Sequence, residues 1–134
     1  MIPLINLVKS RLGGKQGSGQ QFVSWIHEND FCRVVEWLID NSPASGIYNI
    51  VSPDAVRNVE FMKRLRKSLN ISWGIPTPKL ILKAGALLIG TETELVLKSR
   101  KVYPQRLLNE GFVFEFSDLK EALNQICRLE ERRI

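Results

Sequence analysis

A glycine-rich loop, followed by a short apolar run and the start of a helix, constrains the fold of this chain more than any other feature. Residues 13–31 read GGKQGSGQQFVSWIHENDF and contain the only histidine, His27. Glycines this closely spaced indicate a loop, and Lys15–Gln20 is expected to be flexible. The apolar run Phe22–Ile26 predicts a buried strand. The chain is therefore expected to be an α/β domain organised around this loop.

Helical periodicity is present on both sides of the loop. Apolar residues at helical spacing predict a short amphipathic helix over residues 3–12, and the first two glycines of the loop end it. A second helix is predicted from Glu28 to a break at residues 41–43. Asn29 or Asp30 is expected to accept the first free backbone N–H groups of this second helix.

Two further β-rich runs, Gly46–Val51 and Phe112–Phe116, predict strands. The other predicted helices run from Asn58 to Leu69, Thr77 to Gly90, Thr91 to Leu97, Pro104 to Gly111, and from Ser117 onwards. Strands separated by helices tend to be parallel and must be covered on both faces. The sequence predicts either a small, mostly parallel sheet or three strands that belong to a larger sheet completed elsewhere.

Net charge and cysteine usage narrow the class of protein. The chain has 134 residues, enough for one domain. Its net charge of +5 would favour binding to the phosphates of nucleic acid. The basic residues of the 58–69 helix lie opposite an apolar face, and no aromatic residues alternate with them, so a solvated helix face is favoured and nucleic acid is not expected as a partner. Cys32 and Cys127 are predicted to be reduced core residues, without a disulfide or a metal site.

Location is predicted from the first residues and from the apolar runs. Residues 1–11 place apolar side chains before positive charge, the reverse of a secretory signal, which predicts a cytoplasmic protein. The longest apolar runs are too polar for a membrane span, so no membrane association is expected.

The glycine-rich loop resembles the loops that bind phosphate groups through their backbone N–H groups. Residues 14–20 approach the spacing Gly-x-x-Gly-x-x-Gly, whose glycines let a backbone approach a pyrophosphate. A dinucleotide fingerprint follows a strand and opens a helix, whereas this loop follows a predicted helix and leads into a predicted strand. A phosphate-binding role is therefore disfavoured.

Three side chains allow both a structural and a functional interpretation. His27 could be a general base, but no nucleophile is placed beside it by local spacing, so a structural role is favoured. Trp25 could stack on a ring-shaped ligand, and packing in the core is favoured. Arg100, in the basic run 98–101 and close to Arg106, could grip a phosphate, while solvated charge is the commoner explanation.

Five stretches taken in order carry a resemblance to a known family: residues 17–30, 46–50, 56–61, 99–104 and 111–114. They closely resemble the C-terminal half of the sugar-nucleotide epimerase-like branch of the extended short-chain dehydrogenases. The bacterial "epimerase family protein" subgroup is the most similar, and it ends in a conserved domain of unknown function, here about residues 91–134. Residues 17–30 are the most specific part of the resemblance.

The resemblance implies that residues 1–134 form a single domain, the helix-rich C-terminal substrate-binding lobe of an extended Rossmann-type enzyme. The Rossmann half, which binds NAD(P) and carries a Tyr-x-x-x-Lys pair, is absent: Tyr48 and Tyr103 are each followed four residues on by a residue other than lysine. No catalytic, cofactor-binding or metal-binding residue is therefore assigned to this chain. By position, the residues implied to line the substrate side of the cleft are Gln20, Trp25, His27 and Arg100.

The predicted function is that of the substrate-binding lobe of an NAD(P)-dependent nucleoside-diphosphate-sugar epimerase or reductase, not catalytically competent alone. Such enzymes usually carry an arginine where this chain has Val23 and Ser24, which disfavours a sugar nucleotide within the expected class of small-molecule substrates. The alternative is a free-standing interaction or structural module. Apolar surface that a Rossmann half would cover is expected to promote self-association, most simply as a homodimer.

Overall fold

The computed structural model describes residues 1–41, 45–78 and 98–132. Within these ranges the chain forms five helices and two short strands, in the order α1 (Ile2–Lys9), β1 (Phe22–Val23), α2 (Glu28–Asn41), β2 (Val56–Arg57), α3 (Asn58–Ser68), α4 (Gln105–Asn109) and α5 (Leu119–Glu131). The predicted helices that begin at Thr77 and at Thr91 fall almost entirely outside the described residues. The predicted α/β class is confirmed.

The two strands pair in the opposite sense to the prediction. β1 and β2 are antiparallel, with Phe22 opposite Arg57 and Val23 opposite Val56. β2 follows α2 and the irregular residues 45–55, pairs with β1 and leads directly into α3. The predicted parallel arrangement is therefore wrong for the described residues, and the strand predicted over Phe22–Ile26 is only two residues long.

The other two predicted strands are also absent from the described part of the chain. Residues 112–116 instead bury Phe112 and Phe114, and the N–H groups of Glu115 and Phe116 donate to a carboxylate rather than to a neighbouring strand. Residues 46–51 make no backbone hydrogen bond to another described residue. Both runs have strand composition but lack a partner strand among the described residues.

The larger core lies where α3 packs against α5, with α1 closing one side. Met62 and Leu65 of α3 and Leu123 of α5 have no exposed surface. The face predicted from the spacing of Leu119, Leu123, Ile126 and Cys127 is confirmed, since three of these are buried and Ile126 packs against the same core. Burying a side chain of this size stabilises a fold by about 1.5–3 kcal/mol.

A second, smaller core joins α2 to α4 and to the segment after it. Val34 is packed with Leu107, Phe112 and Phe114. The two phenylalanine rings meet edge to face with centroids 4.9 Å apart, a favoured aromatic geometry. This core fixes the position of residues 112–116 without any strand pairing.

Several helix ends differ from the prediction. Asp118, not Ser117, caps α5, because its carboxylate accepts from the backbone N–H groups of Lys120 and Glu121. Asn58 is the first residue of α3 and not its cap. The predicted stops after α3 and α4 are confirmed, because Asn70 (φ 56°) and Gly111 (φ 93°) adopt positive φ angles there.

The two cysteines differ in environment. Cys127 is buried in the larger core, as predicted, whereas Cys32 is exposed on α2. The prediction for Cys32 is wrong because α2 buries the side of Asp30 and Val34 and leaves the neighbouring side open. Neither cysteine forms a disulfide within the described residues.

Candidate functional site

The glycine-rich loop is held by hydrogen bonds along most of its length, which disfavours the prediction that it is flexible. Five of its backbone N–H groups donate to protein acceptors: Gly14 to Ile75 O, Gln16 to Asn58 Oδ1, Gly17 to Thr77 O, Gly19 to Gln16 O and Gln20 to Ser18 Oγ, at 2.8–3.3 Å. A phosphate cradle requires such N–H groups to be free to donate to the ligand. The loop is therefore a structural element.

A buried pair of amide side chains connects this loop to α3. Asn58 Nδ2 donates to Gln16 Oε1 at 3.1 Å, while Asn58 Oδ1 accepts from the Gln16 backbone N–H at 2.8 Å. Gln16 and Asn58 are 4% and 3% exposed. Their mutual bonds satisfy polar groups that would otherwise be costly to bury, and they fix the loop beside β1 and α3.

A cavity of about 250 Å³ opens beside this pair and beside β1. Its buried lining combines the apolar side chains of Phe61 and Met62, 4% and 0% exposed, with the amide pair just described, whereas Lys98 and Arg100 are exposed and form its edge. The residues that line it are Leu4, Gln16, Phe22, Val23, Ser24, Asn58, Phe61, Met62, Lys98, Arg100 and Val102. We take this cavity, here called the β1 cavity, as the candidate binding site.

Residues 98–102 are held against β1 by four hydrogen bonds. Arg100 N–H donates to Phe22 O at 3.3 Å, and Phe22 N–H donates to Ser99 Oγ at 3.0 Å. Ser24 Oγ donates to Arg100 O at 2.9 Å and accepts from Val102 N–H at 3.0 Å. The backbone that carries Arg100 is thus anchored at the edge of the cavity.

The surface around Phe22 is positively charged. Lys101 Nζ lies 5.1 Å and the Arg57 guanidinium carbon 5.4 Å from the centroid of the Phe22 ring, within the range of cation–π contacts. The described residues lining the β1 cavity include two cations and no carboxylate. An anion would therefore be attracted to this side of the chain.

The four predicted site residues fall in different places. Arg100 lines the β1 cavity, and Gln20 is exposed nearby, where its Oε1 accepts from the Arg57 guanidinium. Trp25 packs against the larger core and its Nε1 donates to Asp54 O. None of this tests a role in substrate binding, which stays a prediction for all four.

His27 lies in the interior, 1% exposed. Its Nδ1 accepts from Asn29 N–H at 3.2 Å, so His27 rather than Asn29 satisfies a free amide at the start of α2, and its ring stacks on Phe116 with centroids 4.0 Å apart. Its Nε2 has no partner among the described residues. In this structure His27 joins the start of α2 to the segment after Phe114.

Asp30 also has a role that the sequence did not indicate. Asn29 or Asp30 is predicted to cap α2, but the fully buried carboxylate of Asp30 accepts from the N–H groups of Glu115 and Phe116, both at 2.8 Å, and from the Arg33 guanidinium at 2.7 Å. The alternative that names Asp30 is therefore wrong, because its carboxylate is turned towards a segment 85 residues away.

Sequence reasoning also missed Phe22, Ser24 and Asn58 as cavity residues. Phe22 and Ser24 are two positions apart on an extended segment, a spacing that places side chains on one face. That alternation was the available signal. Nothing local indicated Asn58, whose partner Gln16 lies 42 residues earlier.

A charged cluster lies apart from the cavity, between residues 45–51 and α4. Tyr48 Oη donates to Glu110 Oε2 at 2.6 Å, and Arg106 Nε donates to Glu110 Oε1 at 2.8 Å. These two hydrogen bonds, Tyr48's first, lower the pKa of Glu110. Desolvation, followed by the bond to Glu110, raises the pKa of Tyr48, and the bond to Glu110 raises the pKa of Arg106.

Residues 77–126 match the family described as Domain of unknown function (DUF1731). The match overlaps the part predicted at about residues 91–134 to resemble a C-terminal domain of unknown function. Over these residues the chain is similar to DUF1731, which confirms the predicted resemblance to a family that ends in a domain of unknown function.

Two bacterial relatives illustrate this relationship. Epimerase family protein SA0724 of Staphylococcus aureus is 36% identical over 120 residues, which are 90% of this chain and 39% of the relative. Epimerase family protein YfhF of Bacillus subtilis is 30% identical over 126 residues, 93% of this chain and 41% of the relative. The chain spans about two fifths of the length of these relatives.

A solved structure shares the fold. The crystal structure of human epimerase family protein SDR39U1 (isoform 2) with NADPH superposes with a TM-score of 0.84 at 29% sequence identity. The superposition covers 96% of this chain and 43% of the human chain. The fold described above is therefore also found within a larger protein of the epimerase family.

The described residues contain neither a membrane-spanning helix nor a cluster of metal-binding side chains. No helix there is long and apolar enough to cross a membrane. No group of three or more histidine, cysteine or acidic residues is placed there to hold a metal ion. The cytoplasmic location stays a prediction.

Proposed function

We propose that this chain is the substrate-binding lobe of an NAD(P)-dependent epimerase or reductase, and that the β1 cavity is its substrate side. The observation that carries the proposal is the superposition of nearly the whole chain on less than half of an epimerase family protein crystallised with NADPH. The rest of that protein has no counterpart in this chain. The lobe would then contribute binding and orientation, while the redox chemistry would need the remaining part.

The glycine-rich loop does not fit the pyrophosphate of a dinucleotide. The glycine-rich loop is the segment whose sequence comes closest to a pyrophosphate site, and its N–H groups at positions 14, 16, 17 and 19 already donate to protein acceptors. We therefore place the NAD(P) site, in our proposal, in the part of the family that lies outside this chain, and we assign no reaction step to the residues described here.

The proposal is tested by isothermal titration with NADPH of two proteins. One is this chain alone. The other is a chimera in which this chain replaces the matched region of the B. subtilis relative YfhF. We expect no binding by the chain alone and micromolar binding by the chimera, because the chimera restores the proposed cofactor part. Micromolar affinity of the isolated chain for NADPH would overturn the proposal.

A second candidate function, a self-associating interaction module, is favoured by the outer side of α2. Phe31, Val35 and Ile39 are spaced four residues apart on that helix and are 47%, 39% and 70% exposed. Ile47, in the segment that follows α2, is 86% exposed. Apolar side chains in such an arrangement are typical of a surface that another protein covers. We propose a homodimer through this surface as the alternative.

Sedimentation velocity distinguishes the alternative from the first proposal. A homodimer through the outer side of α2 should dissociate in Val35→Lys, because a charge would be buried at the interface. Val113→Lys is the matched control, since Val113 is also exposed but lies in the segment after α4. A chain that is monomeric at high concentration, or a dimer unaffected by Val35→Lys, would exclude this alternative.

A further inference from the structure

The β1 cavity combines two properties that together define a class of ligand. Its buried lining includes the apolar side chains of Phe61 and Met62 beside the amide pair Gln16–Asn58, whereas the lining residues Lys98 and Arg100 are exposed. The apolar part of this lining favours an apolar group of the ligand. A guanidinium group at the edge binds a carboxylate or a phosphate through two parallel hydrogen bonds.

We propose that the β1 cavity binds a small organic anion, with its apolar body inside the cavity and its carboxylate or phosphate at Arg100. This inference rests on the proposed function, because it names the substrate class of the cavity that we assign to the substrate side. It places the specificity for charge in one residue at the edge, and the specificity for shape in the residues of β1 and α3.

The size of the cavity favours a compact ligand. Its volume of about 250 Å³ is below the roughly 300–1,000 Å³ of pockets that enclose drug-sized ligands. A ring or a short aliphatic chain fits such a space, whereas the base, ribose and sugar of a complete sugar nucleotide exceed it. The anion is therefore expected to be a simple acid or phosphate ester.

Arg100 is favoured over the neighbouring cations by its surroundings. Its backbone is fixed on both sides, to Phe22 O and to Ser24 Oγ, so its side chain starts from an anchored position at the edge of the cavity. Lys101 and Arg57 instead lie over the Phe22 ring, and Arg57 also donates to Gln20. No ion pair within the described part of the chain involves Arg100.

The test uses probes that share one ring and differ in charge. The ¹⁵N-labelled chain is titrated with benzoate, phenyl phosphate and neutral benzyl alcohol, and the amide shifts of Phe22, Arg100 and Val102 are followed by NMR. We expect saturable shifts at these amides and an affinity for at least one of the two anions about tenfold higher than for benzyl alcohol. Whether benzoate or phenyl phosphate binds more tightly indicates a carboxylic acid or a phosphate ester as the source.

Two variants separate a specific site from general attraction by net charge. Arg100→Gln should weaken binding of the preferred anion about five- to tenfold and leave binding of benzyl alcohol unchanged. Arg128→Gln removes an exposed cation of α5 outside the cavity and should change neither. The ¹⁵N spectrum of each variant also shows whether its fold is intact.

Three outcomes would overturn the inference. The first is equal affinity for the anions and benzyl alcohol. The second is an equal loss of anion binding in Arg100→Gln and Arg128→Gln. The third is binding of inorganic phosphate as tight as that of phenyl phosphate, which would leave no role for the apolar interior. None of these results changes the expected binding of NADPH by the chimera, so failure of this inference is distinguishable from failure of the proposed function.

Discussion

The glycine-rich loop has more backbone hydrogen bonds than its sequence suggests, and residues 46–51 have fewer. The loop has the composition of a flexible segment, yet Gln16 is buried and five loop amides have protein acceptors. Residues 46–51 have the composition of a strand, yet they make no backbone hydrogen bond to another described residue, and Ile47 is 86% exposed. The backbone hydrogen bonding of each region therefore depends on which donors and acceptors lie next to it, and not on amino-acid composition alone.

The source of those partners explains the difference. The loop obtains its partners from Asn58 and from residues 75–77, all within this chain. Residues 46–51 are held mainly by side chains, with Tyr48 bonded to Glu110 and packed with Ile50 against the smaller core. The backbone N–H and C=O groups of residues 46–51 are thus unpaired among the described residues, as they are along one side of an edge strand.

The largest expected effect is that of a substitution in the loop. In Gly14→Ala, the added Cβ would lie 2.5 Å from the backbone of Ile75 and Pro76. Backbone atoms cannot rotate away as a side chain can, so we expect a loss of about 3 kcal/mol in the free energy of unfolding. Urea unfolding monitored by circular dichroism gives the value.

Gly111→Ala is the control for this prediction. A Cβ at Gly111 would meet nothing within 4 Å, so only the cost of φ 93° remains, about 1–2 kcal/mol. If both variants lost the same free energy of unfolding, the loop backbone would have moved to accommodate the added Cβ. The contrast between a fixed loop and the unpaired residues 46–51 would then no longer hold.

A smaller loss is expected when the partner of the loop is removed. Asn58→Ala leaves the Gln16 backbone N–H and Gln16 Oε1 without their acceptor and donor in a buried place, which costs about 2 kcal/mol. Asn49→Ala, at an exposed position in the other region, should change stability by less than about 0.5 kcal/mol. The same urea unfolding measures both, and similar losses would contradict the contrast.

Features of the fold that depend on local periodicity were predictable. The helical repeat gave α2 almost to its last residue and gave α4 between Pro104 and Gly111. It also gave the buried face of α5 that contains Leu123 and Cys127. Each of these features is determined by residues within one or two helical turns of one another, so the pattern contains the necessary information.

Features that depend on distant partners were not predictable. Asp30 is a residue type that often caps helices, and it lies near the start of α2. Only the fold shows that its carboxylate accepts hydrogen bonds from the N–H groups of Glu115 and Phe116. The β1 cavity forms where Phe22, Asn58 and Arg100 meet, and no local pattern relates these three positions. The basic run 98–101 indicated Arg100 as a possible phosphate ligand, and family resemblance assigned it to the substrate side of the cleft.

Hydrogen exchange compares the two regions without any substitution. Because the amides of Gly14, Gln16, Gly17 and Gly19 are bonded to protein acceptors, we expect them to exchange at least about 100-fold more slowly than the amides of residues 47–50. NMR-detected exchange in D₂O at neutral pH measures both sets in one experiment. Slow exchange at residues 47–50 would show that this segment has partners and would remove the contrast.

The smallest expected effect is a pH-dependent one at the contact between residues 46–51 and α4. The hydrogen bond from Tyr48 Oη and that from Arg106 lower the pKa of Glu110 in the folded chain. A carboxylate with a lowered pKa stabilises the fold above its unfolded pKa, and this stabilisation is lost as the pH falls through the folded value. The pH window in which this stabilisation is lost therefore lies below the ordinary value of 4.5.

Tyr48→Phe removes the larger of the two causes. We expect the pKa of Glu110 to rise towards its ordinary value, measured by NMR titration of its side-chain carboxyl carbon between pH 2 and pH 7. The stability difference between the wild-type chain and the variant should accordingly be present at neutral pH and disappear below the folded pKa. Tyr103→Phe, at an exposed tyrosine with no described bond to Glu110, is the control and should leave that titration unchanged. If Tyr48→Phe also leaves it unchanged, Tyr48 is not bonded to Glu110 in solution, and residues 46–51 are held to the rest of the chain by apolar packing alone.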